Sequence, residues 1–277
     1  MKIFITGATG MLGNDLVKVL SREHEIITKR VDITILDKIL DIIKRTKPDL
    51  IIHAAAFTDV DAAESKRDQA YKVNVLGTRN VTLASSETEA PILYISTDYV
   101  FDGEKKRGYH EFDKPNPINF YGKTKYLGEL YIKDLTNRFY IVRTSWLFGK
   151  HGKNFVKTML KLAEEKENIQ VVKDQIGSPT YTRDLAEAIG ELIKKPAYGT
   201  YHITNSGHCS WYEFAKKIFK AANIDINLEA VDSQEFHRPA KRPKCSILKN
   251  YNWKMEGLPP LRDYTEALLD YLGEELK

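Results

Sequence analysis

An α/β fold built on a doubly wound parallel sheet, with a smaller lobe interleaved from the C-terminal half, is the fold class the sequence predicts. Three observations lead to it. Short β-branched or apolar runs alternate with helix-spaced segments through the first half of the chain. A glycine-rich string, Gly7-Ala8-Thr9-Gly10-Met11-Leu12-Gly13, joins the first run to the first helical pattern. The second half loses this alternation and gathers proline-rich turns at Lys114–Pro117, Arg238–Pro243 and Leu258–Pro260. Strands buried on both faces and alternating with amphipathic helices are the signature of right-handed βαβ units.

Taken in order, the expected strands are Ile3–Thr6, Glu25–Thr28, Leu50–Ala54, Ile92–Ser96 and Tyr140–Arg143. Leu12, Leu16, Val19 and Leu20 form one helical stripe between them; Ile35, Ile39, Ile42 and Ile43 form a second. Farther on, helical spacing runs over Asn154–Glu165, Arg183–Lys194, Ser210–Ala222 and Leu261–Leu272, with strand candidates at Ile169–Val172 and Thr200–Ile203. No repeat or flexible linker separates the halves. Residues 1–149 are expected to form a Rossmann-like dinucleotide-binding domain that also receives 181–206, and 150–277 mainly a substrate-binding lobe.

Composition narrows the function classes. The chain has 277 residues, 42% of them hydrophobic and 29% charged, as in a globular protein. A net charge of only +4 argues against a dedicated nucleic-acid partner, while a small anionic ligand needs no more than a local basic patch. Two isolated cysteines, Cys209 and Cys245, form no zinc or disulfide pattern and fit a reducing, cytoplasmic compartment. The seven histidines show no metal-ligand spacing, so no metal is expected. The N-terminus reads as a core strand rather than a secretion signal, and no apolar run has the length of a membrane span.

The glycine string has a specific physical reading. Gly7 permits a tight turn, Gly10 lets the backbone approach a pyrophosphate, and Gly13 allows the helix to pack on the strand. Exposed amides and the helix dipole then favour an anion. At the end of the second strand an acidic residue usually accepts the adenosine ribose of NAD. Here that stretch reads Thr28-Lys29-Arg30, with Asp32 and Ile33 slightly later. Two cations suit a 2′-phosphate, so NADP(H) is expected as the preferred cofactor, with NAD(H) left open.

Tyr121 and Lys125 stand four residues apart, on one face if the segment is a helix beginning near Asn119, after the Lys114–Pro117 turn. A neighbouring ammonium and the positive nicotinamide of an oxidised cofactor are both expected to lower the phenol's pKa from its ordinary value of about 10, with Lys125 supplying part of the shift. The string Ile95-Ser96-Thr97-Asp98-Tyr99-Val100-Phe101 leaves the fourth strand at its C-terminal end, where open parallel sheets bind ligands. Thr97 can there place a hydroxyl beside the tyrosine.

These residues resemble the functional set of the extended short-chain dehydrogenase/reductase family: the glycine fingerprint, the strand-end Thr97, and Tyr121 with Lys125. A finer resemblance, to the dTDP-4-dehydrorhamnose reductases of that family, rests on Ala54–Asp61, Ser96–Gly103, Tyr121–Gly128, Arg143–Trp146 and Asp174–Thr180, and covers nearly the whole chain. It implies hydride delivery to C4 of a nucleotide-linked keto-sugar, dTDP-4-dehydro-L-rhamnose, with Tyr121 as proton donor, Thr97 holding the same oxygen, and Lys125 on the nicotinamide ribose. By family position it implies cofactor contacts from Thr9, Met11, Leu12, Ala54, Ala55 and Ala56. It implies substrate contacts from Thr58, Val60, Trp146, Asn154, Gln175 and Arg242, the last toward the pyrophosphate.

The chain departs from some bacterial relatives, which bind magnesium through glutamates at a dimer contact. Here Asp15 and Arg183 occupy or adjoin such places, which puts a metal-bridged dimer in doubt and leaves monomer and homodimer open. Sugar-nucleotide dehydratases carry Asp-Glu after the threonine; this chain has Asp98-Tyr99. Two alternatives to the reductase stand beside it. One is a non-catalytic NADP-binding subunit like the regulatory β subunit of methionine adenosyltransferase. The other is a reductase or epimerase of another nucleotide sugar.

Overall fold

A computed structural model describes residues 1–275; Leu276 and Lys277, the end of the expected 150–277 lobe, lie outside the described residues. Six strands form one sheet: β1 (Lys2–Thr6), β2 (Glu25–Ile27), β3 (Leu50–His53), β4 (Ile92–Thr97), β5 (Phe139–Thr144) and β6 (Gly199–His202). They lie in the order β2-β1-β3-β4-β5-β6, every neighbouring pair parallel. The chain leaves β1 toward one edge to make β2 and returns to the other side as β3. That reversal puts a switch-point crevice beyond the C-terminal ends of β1 and β3, where Thr6 pairs in register with His53.

The alternation of the strand residues explains the two faces. Ile3 and Ile5 point into a core with Leu16 and Leu20 of α1 (Met11–Leu20), while Phe4 between them joins the opposite core with Ile39 and Ile43 of α2 (Leu36–Thr46). Burying each such side chain contributes ~1.5–3 kcal/mol. The second face is completed by α3 (Thr78–Glu87) and α4 (Phe120–Leu135), through Val81, Ala84 and Ile132.

After β5 the chain builds a second, aromatic core from α5 (Phe155–Glu165) and then returns to the sheet as α6 (Thr182–Leu192) and β6. Leu185, Ile189 and Leu192 of α6 pack into the same core as Leu16 of α1. The second core is finished by α7 (Trp211–Ala222), α8 (Tyr264–Glu275) and a two-stranded parallel ribbon, Asn168–Val172 with Asn227–Val231. Ser210 and Glu213 close a capping box at the start of α7.

One segment differs from plain helical spacing. Residues Lys72–Gly77 form a π-helical turn that runs into α3. Within it Asn74 is buried; its amide takes the Phe57 N–H at 2.7 Å and donates to the Phe57 carbonyl at 3.1 Å and to Thr124 Oγ1 at 3.0 Å. The wide turn thus ties the loop after β3 to α4. Among the described residues, no helix is long and apolar enough to cross a membrane.

Candidate active site

The glycine turn is built as its residues require. Gly7 lies at φ +72°, and a Cβ on it would meet the Ala55 amide nitrogen at 2.5 Å. A Cβ on Gly13 would stand 2.1 Å from the Gly7 carbonyl. Backbone of β1, the loop after β3 and α1 therefore meet at a distance only glycine allows. Gly10 caps α1 in extended conformation with no side chain over the helix end, so the first-turn amides of Met11, Leu12 and Gly13 have no intrahelical acceptor. Leu12 sends its side chain into the core, which leaves only its backbone for a ligand.

A cleft of about 320 Å³ continues from this turn, lined by Thr9, Lys29, Arg30, Asp32, Ile33, Ala55 and Ala56. Lys29 and Arg30 are exposed on it, and among the described residues neither forms an ion pair with a carboxylate. Asp32 uses Oδ1 to take the Thr34 hydroxyl at 2.8 Å and the Thr34 amide at 3.0 Å, and those bonds hold its carboxyl below the ordinary range. It braces its own turn.

The next strand end brings Thr97, Tyr121 and Lys125 together. Asn119 caps α4, its Oδ1 accepting the Gly122 N–H at 2.7 Å, and Glu64 takes the Phe120 N–H at 2.7 Å. A Cβ on Gly122 would lie 2.1 Å from the Tyr99 carbonyl, so the start of α4 sits directly on the segment after β4. Tyr121 meets Tyr99 edge-to-face at 6.1 Å. Thr97 Oγ1 takes the Tyr99 N–H at 3.2 Å and donates to Asp98 Oδ1 at 3.0 Å. Lys125 is buried, its Nζ donating to the Ile95 carbonyl at 2.7 Å and lying 4.0 Å from the centre of the Tyr94 ring.

The electrostatics correct one expectation. Lys125 is not among the groups that lower the Tyr121 phenol. Burial, followed by the charge of Asp98, raises the Tyr121 phenol above its ordinary value, and Thr97 alone pulls the other way. Lys125 is itself brought down to about 7 by burial, with Glu129 opposing. The short spacing Tyr-x-x-x-Lys shows the shared helix face; the dryness of the pocket that houses both groups comes from residues distant in sequence. Asp98 is pushed up to about 7, chiefly by burial, with hydrogen bonds from Ser246 and Thr97 opposing.

On the substrate side, Thr58 is exposed and Val60 half-buried on the loop after β3. Trp146 adopts φ +48° and stacks on Trp211, with ring centres 3.4 Å apart and planes 4° from parallel; Phe155 adds a third ring 4.4 Å from Trp211. Gly177 lies against the Trp146 indole, where a Cβ would come within 2.4 Å. Arg242 grips Asp61 with two nitrogens, at 3.0 and 2.9 Å, and neighbours Tyr99. Asn154 is engaged in its own turn: its Oδ1 caps α5 by accepting the Lys157 N–H at 3.0 Å, and its Nδ2 donates to the Gly149 carbonyl at 2.8 Å. Gln175 is half-buried in the turn before Ile176. Asn154 and Gln175 thus lie on separate turns.

Sequence reasoning assigned no site role to Asp61, Glu64, Asn74, Asp98 and Trp211. Asp98 carries a local signal, a carboxylate directly after the strand-end threonine. The others act across long sequence separations and leave no such trace. Asp15 accepts a hydrogen bond from Thr182, and Arg183 pairs with Glu274 at 2.5 Å. Among the described residues, no group of three or more His, Cys, Asp or Glu side chains is arranged to hold a metal ion.

Known proteins resemble this chain along nearly its whole length. Residues 1–276 match the RmlD substrate binding domain family. The chain is 47% identical to the dTDP-4-dehydrorhamnose reductase of Bacillus anthracis, solved in complex with NADP; 99% of each chain superposes, with a TM-score of 0.96. It is 42% identical over 267 residues to a dTDP-4-dehydrorhamnose reductase of Aggregatibacter actinomycetemcomitans, covering 89% of this chain and 90% of that one. It is also 42% identical over 277 residues to the spore coat polysaccharide biosynthesis protein SpsK of Bacillus subtilis, covering 99% and 97%. The UDP-glucose 4-epimerase of Thermus thermophilus, 18% identical with a TM-score of 0.85 over 99% and 98% of the two chains, shares the fold.

Proposed function

The chain belongs to the RmlD substrate binding domain family, and on that premise we propose that it reduces the C4 ketone of dTDP-4-dehydro-L-rhamnose to dTDP-L-rhamnose, with NADPH as the preferred reductant. The observation that carries this reading is the grouping of Thr97, Tyr121 and Lys125 at the end of β4.

The residues fit the cofactor. The turn at Gly7 and Gly13 leaves no room for a side chain, the α1 amides supply anion donors, and Lys29 and Arg30 stand free on the cleft for a 2′-phosphate. Residues 1–149 with 181–206 would hold it, and 150–277 would supply much of the sugar site. Bound NADPH supplies the hydride. Tyr121 gives its proton to the carbonyl oxygen as negative charge develops there; such positioned acids contribute ~10²–10⁴-fold in rate. Its raised pKa keeps the proton in place at neutral pH. Thr97 can turn its hydroxyl from Asp98 to the same oxygen. Lys125, anchored by one of its three donors, keeps two for ribose hydroxyls. The Trp146–Trp211 stack offers a flat apolar wall to the hexose, and Arg242, its Nη1 and Nη2 held by Asp61, offers the diphosphate a fixed positive charge. The two cysteines are free and buried, which suits a cytoplasmic setting.

A non-catalytic role is not favoured, because the three catalytic groups are intact and converge. Deuterium tracing tests the reaction. With NADPH labelled in its transferable position, we expect deuterium at C4 of the hexose by NMR. A product without label, or label passed only to a UDP- or GDP-linked sugar, would overturn the assignment.

A further inference from the structure

The buried side of α4 carries a second ionic cluster away from the cleft. We propose that Glu129 is a positioning residue: it sets the register of α4 on β4, and so aligns Tyr121 and Lys125 with Thr97. This rests on the reductase reading and adds to it a group that touches neither substrate nor cofactor.

Two consecutive residues of β4 are held by two residues one helical turn apart. Lys125 Nζ donates to the Ile95 carbonyl at 2.7 Å, and Ser96 Oγ donates to Glu129 Oε1 at 2.6 Å. The next residue along the strand is Thr97. The helix is closely seated on both sides of this grip: a Cβ on Gly122 would strike the Tyr99 carbonyl just past the end of β4, and one on Gly128 would come within 2.7 Å of the Tyr94 hydroxyl and 2.9 Å of the Asn74 carbonyl. Small displacements of α4 are therefore transmitted directly to the relation between Tyr121 and Thr97.

Glu129 is locked in turn. Arg143 on β5 donates through Nε to Oε1 at 2.9 Å and through Nη2 to Oε2 at 2.6 Å, with the two side chains 1% and 0% exposed. Arg143 Nη1 lies 3.4 Å from His202 Nε2 on β6 and 3.5 Å from the Glu111 carbonyl. His202 is held neutral, chiefly by burial and then by Arg143. The Glu129 carboxylate thus joins α4 to β4 and β5 directly, and to β6 through Arg143.

A buried ion pair is a poor way to gain stability, since an apolar pair of similar volume often does as well or better. What it supplies is direction and charge. Glu129 faces Ser96 and Tyr94 from β4, Arg143 from β5, and Lys125 and Lys133 on its own helix. Lys125 in turn faces the Tyr94 ring and His53 from the neighbouring strands, and Glu129 is the group that opposes the loss of its proton.

Two variants test this without depending on each other's folding. Ser96→Ala removes the strand's bond to Glu129 and leaves the ion pair intact. Glu129→Met with Arg143→Met replaces the pair by apolar volume. For both we expect an unchanged KM for NADPH with kcat lowered, about tenfold or more in the double variant. In the double variant the Lys125 amine, followed by ¹⁵N NMR, should titrate about one pH unit lower or more than in wild type. Wild-type kcat in Ser96→Ala, or an unmoved Lys125 titration in the folded double variant, would overturn the proposal. A wild-type enzyme that turns over no substrate would instead defeat the reductase reading, and the Lys125 titration would still decide the role of Glu129.

Discussion

Asp61 and Arg242, separated by 181 positions, form a two-pronged ion pair at 3.0 and 2.9 Å that fastens the basic strap 238–242 over the loop after β3. The same carboxylate takes the Ala240 N–H at 3.1 Å and an Arg238 nitrogen at 3.3 Å, while Asn119 at the start of α4 donates to the Lys241 carbonyl at 2.8 Å. Burial alone would raise the Asp61 carboxyl; the bonds from Arg242 and Ala240 hold it below the usual range. The latch joins the three segments around the mouth of the site.

Loosening the latch should act on substrate and spare the cofactor. For Asp61→Ala we expect KM for the nucleotide sugar to rise about tenfold, the Kd for NADPH to stay within about twofold, and stability to fall by ~1–3 kcal/mol. Steady-state kinetics and urea denaturation check this. An unchanged sugar KM would remove the strap from substrate binding.

Cofactor choice should reside in two exposed cations. Lys29→Ala with Arg30→Ala deletes charge-assisted partners for a 2′-phosphate, each worth ~1–2 kcal/mol. The ratio of NADPH to NADH specificity should fall by roughly tenfold or more, through KM for NADPH, with KM for NADH little changed. A ratio equal to wild type would place the preference elsewhere.

Gly13→Ala puts a methyl group 2.1 Å from the Gly7 carbonyl. Backbone must move, at a cost of ~1–3 kcal/mol or more, and it moves within the cradle. We expect a lowered Tm together with loss of NADPH fluorescence enhancement on binding. Gly257→Ala is a useful control, with open space for its methyl group at a backbone angle of φ +70°. Its effect should be on stability alone.

That glycine contact is a place where the sequence is transparent. Spacing by itself predicts strand, turn and helix because each glycine answers a local requirement, and the Ile3–Phe4–Ile5 alternation predicts two buried sheet faces. The Asn119 helix start and the shared face of Tyr121 and Lys125 are legible for the same reason. Asp61 and Trp211 are not, because their meaning depends on residues 181 and 65 positions away along the chain. The π-helical turn at Lys72–Gly77 escapes periodicity because it breaks the period, and Asn74 does its work there. The raised pKa of Tyr121 escapes it too, since burial by other segments and the charge of Asp98 set it, opposed by Thr97.

Asp98 should leave a signature in the pH dependence of stability. Its folded pKa of about 7 stands above the unfolded value of 3.8, so the native state holds the proton more tightly. The stabilisation is complete below the unfolded pKa and is lost as pH rises through 7, amounting to at most about 4 kcal/mol. Asp98→Asn should flatten this change between pH 4 and 7 and be the more stable protein at pH 8, as followed by denaturation across pH. Identical pH profiles for variant and wild type would show that Asp98 is ionised throughout.

Protonation of a ketone oxygen by Tyr121 beside a nicotinamide site is tested most directly by the loss of NADPH absorbance on mixing with dTDP-4-dehydro-L-rhamnose. Wild-type protein should consume NADPH only when the sugar is present, and Tyr121→Phe, which still binds NADPH, should lose ~10²-fold or more in kcat. Near-normal turnover by Tyr121→Phe, or no turnover by folded wild-type protein that binds NADPH, would contradict the account.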